Sequence, residues 1–196
     1  MPDDAVGAPI LAPVVGGAEF EEPAVSTLTA TGLWLVRVGF GHPDALRLVE
    51  DVQQEYVARY GGRDDTPLDP LMFEPPAGSF FVGYLAGQPV ASGAWRRRGD
   101  VEAWGTTEAA EIKRMYVAPA ARGAGHARAV LAHLESTARE SGAEVMVLET
   151  GTKQPEAIAL YESSGYTRIT PFGHYAWSPD NRCFAKRLDP PVRPIR

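Results

Sequence analysis

The chain reads as an α/β domain, a mixed sheet with helices on both faces, and three observations predict it. Strand-like runs recur from Leu33 to Leu188, stretches opening at Pro43, after Gly125 and at Pro155 switch to helical spacing, and Gly- and Pro-rich punctuation separates them. That succession of elements is what a layered sheet-and-helix domain requires. With 196 residues and 44% hydrophobic content there is chain enough for one sizeable core, and length alone suggests one domain.

In order, residues 1–30 are rich in Pro, Gly, Ala and Val without a stable period and read as an extended, acidic leader. Leu33 to Val38 is the first strand. Pro43 opens a helix with Leu48, Val49, Val52 and Tyr56 on one face, ended by Gly61-Gly62. Arg63 to Gly78, with four prolines and the acids Asp64, Asp65, Asp69 and Glu74, is a long irregular connection of the kind that often carries function. Phe80 to Ala86 and Pro89 to Arg97 form two strands joined at Gly87-Gln88, and a Gly-rich excursion leads to a strand at Glu111 to Val117. After the helix that follows Gly125 come a buried strand, Val145 to Thr150, a helix from Pro155 to Ser163, a strand at Tyr166 to Thr170, a polar tip at 178–181 and a last strand, Arg182 to Leu188. Residues 31–189 are thus the domain and 190–196 a tail.

Charge and cysteine usage exclude several classes. Five acids, Asp3, Asp4, Glu19, Glu21 and Glu22, precede Arg37 with no base among them, so of the formal −6 only −1 belongs to the rest. A nucleic-acid surface usually shows clustered excess Lys and Arg, and here Arg96-Arg97-Arg98 is the only tight run, read as a solvated hairpin end. No apolar run approaches the roughly 20 residues of a membrane span and no signal pattern opens the chain, so a cytoplasmic location is expected. The single Cys183 excludes an internal disulfide and reads as a small half-buried hydrophobe. His126 and His133, seven apart, lack the spacing of helical metal ligands, and no metal is expected.

The most informative stretch is Glu111 to Glu135, a strand passing through Ala-Pro-Ala-Ala-Arg-Gly-Ala-Gly into a helix with Ala127, Val130, Leu131, Leu134 and Ala138 on one face. A helix start has up to four amide donors without intrahelical partners and the positive end of the dipole, so it suits a phosphate. A nucleoside-triphosphate loop would need Lys after the second glycine, where His126 stands. A dinucleotide loop would need a small residue at Arg128 and a shorter spacer after Val117, although Glu149 at the end of the next strand suits it. The third candidate is a coenzyme A site.

Arg122-Gly123-Ala124-Gly125-His126-Ala127 resembles the R/Q-x-x-G-x-G/A signature of the GNAT superfamily of N-acetyltransferases, with Val117-Ala118-Pro119 at the usual distance before it. Downstream, the segment from Ala157 to Tyr166, AIALYESSGY, looks like the family's A-x-x-L-Y-x-x-x-G-F/Y block. Only 111–166 carries distinctive motifs. The resemblance implies a mixed, mostly antiparallel sheet of about six to seven strands, acetyl-CoA as cosubstrate, and transfer of acetyl to a small primary amine or an amino terminus in a ternary complex. It further implies that the backbone of Met115, Tyr116 and Val117 pairs with the pantetheine arm. The turn from Arg122 through Gly123, Ala124, Gly125, His126 and Ala127 to Arg128 would hold the diphosphate. Gln154 stands where the family commonly has a coenzyme-contacting Asn, and offers the same amide on a longer stem.

An alkylamine is mostly protonated at neutral pH, so transfer needs a base for the amine and a proton donor for the departing thiolate. By resemblance Glu111 and Glu149 compete as base and Tyr161 is the acid. If both glutamates faced one cleft, they would titrate as a coupled pair. His174, Tyr175, Trp95 and Trp177 are candidate acceptor-pocket walls, and the four acids of 63–78 suggest a cationic acceptor. A non-catalytic acyl-CoA-binding module is the alternative from another class, a nicotinamide-binding domain a third reading, and a homodimer is compatible with everything above.

Overall fold

The computed structural model describes residues 26–188; the leader up to residue 25 and the tail from 189 lie outside the described residues. The strands are β1 (Ser26–Leu28), β2 (Trp34–Val38), β3 (Gly78–Leu85), β4 (Gln88–Arg97), β5 (Ala109–Val117), β6 (Val145–Gly151), β7 (Thr167–Arg168) and β8 (Asn181–Arg187); the helices are α1 (Pro43–Tyr60), α2 (His126–Glu140) and α3 (Pro155–Ser163). All eight strands form one sheet in the order β1-β2-β3-β4-β5-β6-β8-β7, in which only β5 and β6 run parallel. The strand beyond the expected six to seven is β1, which pairs Ser26–Leu28 with Trp34–Val36 inside the segment read as leader. Its burial is slight, so no apolar pattern announced it; the backbone ladder to β2 holds it.

Alternation on the central strands explains the two helical layers. Phe80, Val82 and Tyr84 of β3 face α1 together with Leu48 and Val52, whereas Phe81 faces the opposite side, with Val130, Leu131 and Leu134 of α2. Tyr161 of α3 joins the α2 side. Pro at its first turn and an Asp44 amide bonded to His42 Nδ1 (3.2 Å) start α1, and Gly61 in the left-handed conformation (φ 81°) stops it. Gly93 sets the closeness of α2 to the sheet: a Cβ there would lie 2.7 Å from Val130 Cγ1 and 3.0 Å from Leu134 Cδ1. Gly93→Ala is therefore expected to cost about 1–3 kcal/mol through overpacking, read as a lowered thermal midpoint with an unchanged fold.

Two departures from strand regularity position the site. Between Ser92 and Ala94 of β4 the register with β5 shifts, and Arg114 takes φ 52° there, its carbonyl held by Ser92 Oγ at 2.9 Å. A bulge of this kind re-aims a side chain. Second, β5 and β6 pair only over Ala109–Glu111 and Val145–Val147, after which the two strands diverge.

Candidate functional site

The divergence opens a cavity of about 430 Å³ whose walls include Ile112 to Met115 of β5, Glu149 to Gly151 of β6, Gln154, Ala157 and Tyr161 around α3, and Tyr56 and Tyr60 of α1. It is further lined by Gly62, Arg63, Asp64 and Thr66 and by Tyr175, Trp177, Ser178, Asp180 and Asn181. Those two loops join directly: Tyr175 donates to Asp65 Oδ1 at 2.5 Å, and His174 Nε2 lies 3.1 Å from the same oxygen. Trp177 stands at the rim 78% exposed.

On the β5 side the edge beyond the bulge is open. Ala118 N–H donates to Val90 on β4 (2.8 Å), so strand alternation turns the amides of Met115 and Val117 the other way. Arg122 Nε takes the Val117 carbonyl at 2.8 Å, and its guanidinium pairs with Glu55 and lies over the Tyr116 ring. Arg122 thereby folds back and fixes the turn. Gly123 (φ 81°) and Gly125 (φ 82°) carry the left-handed bends, and Ala129, bonded to the Gly125 carbonyl, is the first α2 amide with an intrahelical acceptor. The amides of Gly125, His126, Ala127 and Arg128 at the helix start are left for an anion. The His126 ring is buried against Thr31 Oγ1 (3.0 Å), Arg128 bridges to Ser163 and Ser164 (3.0 Å each), and Ala124 is exposed.

The two glutamates separate completely. Glu111 is 0% exposed and does not line the cavity; Arg96, Arg98 and Lys113 surround it at 2.7, 2.5 and 2.8 Å. Burial alone would raise its pKa, but the charges of Lys113, Arg96 and Arg98 outweigh burial and hold the carboxyl below its ordinary value. Glu149 does line the cavity, with Oε1 accepting from Asn181 Nδ2 at 3.1 Å, Oε2 3.4 Å from Lys113 Nζ, and Gly173 packed so closely that a Cβ there would fall 2.6 Å from Oε2. Lys113 stands between the carboxylates, so the condition for a coupled pair, both glutamates facing one cleft, is not met. The same geometry corrects the reading of the arginine run: Arg96 and Arg98 reach inward to Glu111, Arg98 also holding the exposed Asp100, while Arg97 pairs with the exposed Glu108.

The Acetyltransferase (GNAT) family profile matches residues 48–166. The chain belongs to the GNAT acetyltransferase family. A protein named IAA acetyltransferase from Azospirillum brasilense is 33% identical over 135 residues, covering 68% of this chain and 84% of that one. Among solved structures, a Klebsiella pneumoniae protein provisionally described as an acyl-CoA N-acyltransferase superposes with a TM-score of 0.65 at 25% identity, covering 81% of this chain and 99% of its own. A GNAT-family acetyltransferase from Staphylococcus aureus Mu50 also gives 0.65, at 18% identity, with 80% and 99% covered, and attests the fold alone.

The cavity of this GNAT protein gathers residues from both sequence blocks. Tyr161 is buried, with its hydroxyl 3.8 Å from Met115 Sδ, and burial raises its pKa, so the phenol stays protonated at neutral pH. Gln154 lines the same cavity, its Oε1 accepting from Thr150 Oγ1 at 3.2 Å. The Tyr116 side chain faces α1 and does not line the cavity. Trp95, expected as a pocket wall, instead lies in the core with Nε1 bonded to Thr137. Cys183 is fully buried beneath Phe172 rather than half-buried. Sequence reasoning missed Tyr56, Tyr60, Lys113, Arg114 and Asn181 as cavity residues. Tyr56 was legible only as part of a helix face, and Arg114 lines the cavity at the register shift between β4 and β5. Among the described residues no helix is long and apolar enough to cross a membrane, and no three His, Cys, Asp or Glu side chains cluster as a metal site.

Proposed function

We propose that this acetyltransferase moves acetyl from acetyl-CoA to a primary amine in one step, with Glu149 as base and Tyr161 as acid. The observation that carries the reading is that Glu149, Tyr161 and the open edge at Met115 share one cavity at the split between β5 and β6. The pantetheine arm would lie along the free amides of Met115 and Val117, and the diphosphate on the amides at the start of α2. An edge amide facing the thioester oxygen would stabilise the negative charge that develops there. Glu149 accepts the amine proton as the N–C bond forms and the C–S bond breaks, and the Tyr161 hydroxyl protonates the departing sulfur. Glu111 has a different part: it neutralises Arg96, Arg98 and Lys113 behind the site.

The reading has a direct test. Steady-state turnover on a panel of amines and amino acids should release coenzyme A, and no turnover with any acceptor would reject it. Tyr161→Phe is expected to lower kcat on the order of 100-fold while the acetyl-CoA concentration that half-protects the protein from thermal unfolding stays the same. An unchanged kcat removes the acid role.

A further inference from the structure

We propose that the acceptor is a free amino acid, seated with its carboxylate toward Arg114 and its amine toward Glu149. The inference rests on the acetyltransferase reading of the cavity and adds the charge pattern of the molecule that receives the acetyl group. Three observations carry it.

The first is the charge of the walls. Arg63, Lys113 and Arg114 are matched by Asp64, Glu149 and Asp180, so the cavity has both signs and no net charge. Three of the four acids of the 63–78 connection, which suggested a cationic acceptor, have internal partners instead. Asp64 pairs with Arg114 and accepts from Thr66 N and Oγ1 at 3.0 and 2.6 Å; burial opposes its ionisation, yet those partners pull its carboxyl down to about 2. Asp65 is held by Tyr175 and His174, and Asp69 accepts from the Leu71 amide at 2.9 Å.

The second is an unanswered donor. Arg114 is 5% exposed, and while Nη1 pairs with Asp64, its Nε has no hydrogen-bond partner among the described residues. A buried N–H without an acceptor carries a full desolvation cost, and a guanidinium binds a carboxylate with particular strength. The backbone at Arg114 has a left-handed φ of 52°, a conformation that persists where the surroundings over-determine it. Tyr60, also on the cavity wall, has a buried hydroxyl without a partner.

The third is placement. Arg114 lies on β5 and Glu149 on β6, the two strands that diverge, so cation and anion face one space from its opposite walls. Tyr56, Tyr175 and Trp177 supply aromatic surface for an apolar side chain between them.

The test uses the full chain with acetyl-CoA and measures thiol release. All twenty standard amino acids are screened, and the best is compared with its own carboxamide and its decarboxylated amine. We expect the amino acid to exceed both by on the order of 100-fold in kcat/KM, because a site built to bind a substrate group rejects analogues that lack it. Arg114→Gln should erase that preference while acetyl-CoA still raises the melting temperature, and Arg114→Lys should recover it in part. Amide or amine turned over as well as the amino acid, or turnover of amines alone, overturns the proposal and leaves acetyl transfer standing. A preference that survives in Arg114→Gln overturns the role of Arg114. No turnover of any amine removes the acetyltransferase reading and this proposal together. Should Arg114→Gln fail to fold, the comparison of acceptors on the native protein decides.

Discussion

Glu149→Gln is expected to reduce kcat/KM by about 10²–10⁴-fold, the range over which a positioned base contributes. The substitution keeps the shape of the side chain and an oxygen for Asn181 Nδ2, which now bonds Oε1 at 3.1 Å, so the loop through Gly173 has no steric reason to move. What disappears is the acceptor for the amine proton. Two readouts separate this from a structural effect. The loss should shrink as pH rises toward the pKa of the acceptor amine, where neutral amine is already abundant, and acetyl-CoA should still raise the thermal midpoint. A loss that is the same at every pH would show that Glu149 serves only to hold the loop.

Glu111→Ala should have its effect on stability, about 3–5 kcal/mol, because it leaves Arg96, Arg98 and Lys113 buried without their common counter-charge. Glu111→Gln should cost less, since it still offers an oxygen. The pH dependence follows from the depressed folded pKa. The unfolded carboxyl titrates near its ordinary value of 4.5 and the folded one below it, so the contribution of Glu111 is fully present above 4.5 and is lost as pH falls through the folded value. Chemical denaturation of wild type and Glu111→Gln at pH 7 and at progressively lower pH should therefore show the gap closing on the acid side. A constant gap would mean that the three cations are satisfied by other groups.

The contrast between these glutamates shows where sequence reasoning reached and where it stopped. From the sequence both read as strand-end carboxylates on either side of the Gly-rich turn, and nothing in that pattern says which one faces a cavity. The difference comes from partners distant in sequence: Arg96 and Arg98 on β4 enclose one, Asn181 on β8 holds the other. The elements themselves were readable because apolar periodicity and Pro/Gly boundaries are local. Leu33–Val38, the helix from Pro43, the strands around Gly87 and the helix after Gly125 all lie within a residue or two of their expected positions. β1 was not readable, since its three residues bury little and depend on ladder bonds to β2. Arg114 illustrates the same limit at the site. Its side chain is directed by an irregular register between β4 and β5, and strict alternation along the strand could not have foretold it.

The parallel pairing of β5 with β6 spans three residue pairs, whereas β3 and β4 match over eight. The sheet is therefore two stiff plates joined by a short seam, and the candidate cleft is the mouth of that seam. An extended guest lying against β5 would act as a splint, tying the plates together through added backbone bonds. Substrate occupancy and mechanical cohesion become a single quantity. Amide exchange at Val145–Val147 and Ala109–Glu111 should slow on acetyl-CoA binding by more than it slows at the β3–β4 hairpin, and a protease that opens the empty protein should find the loaded one sealed along the same line.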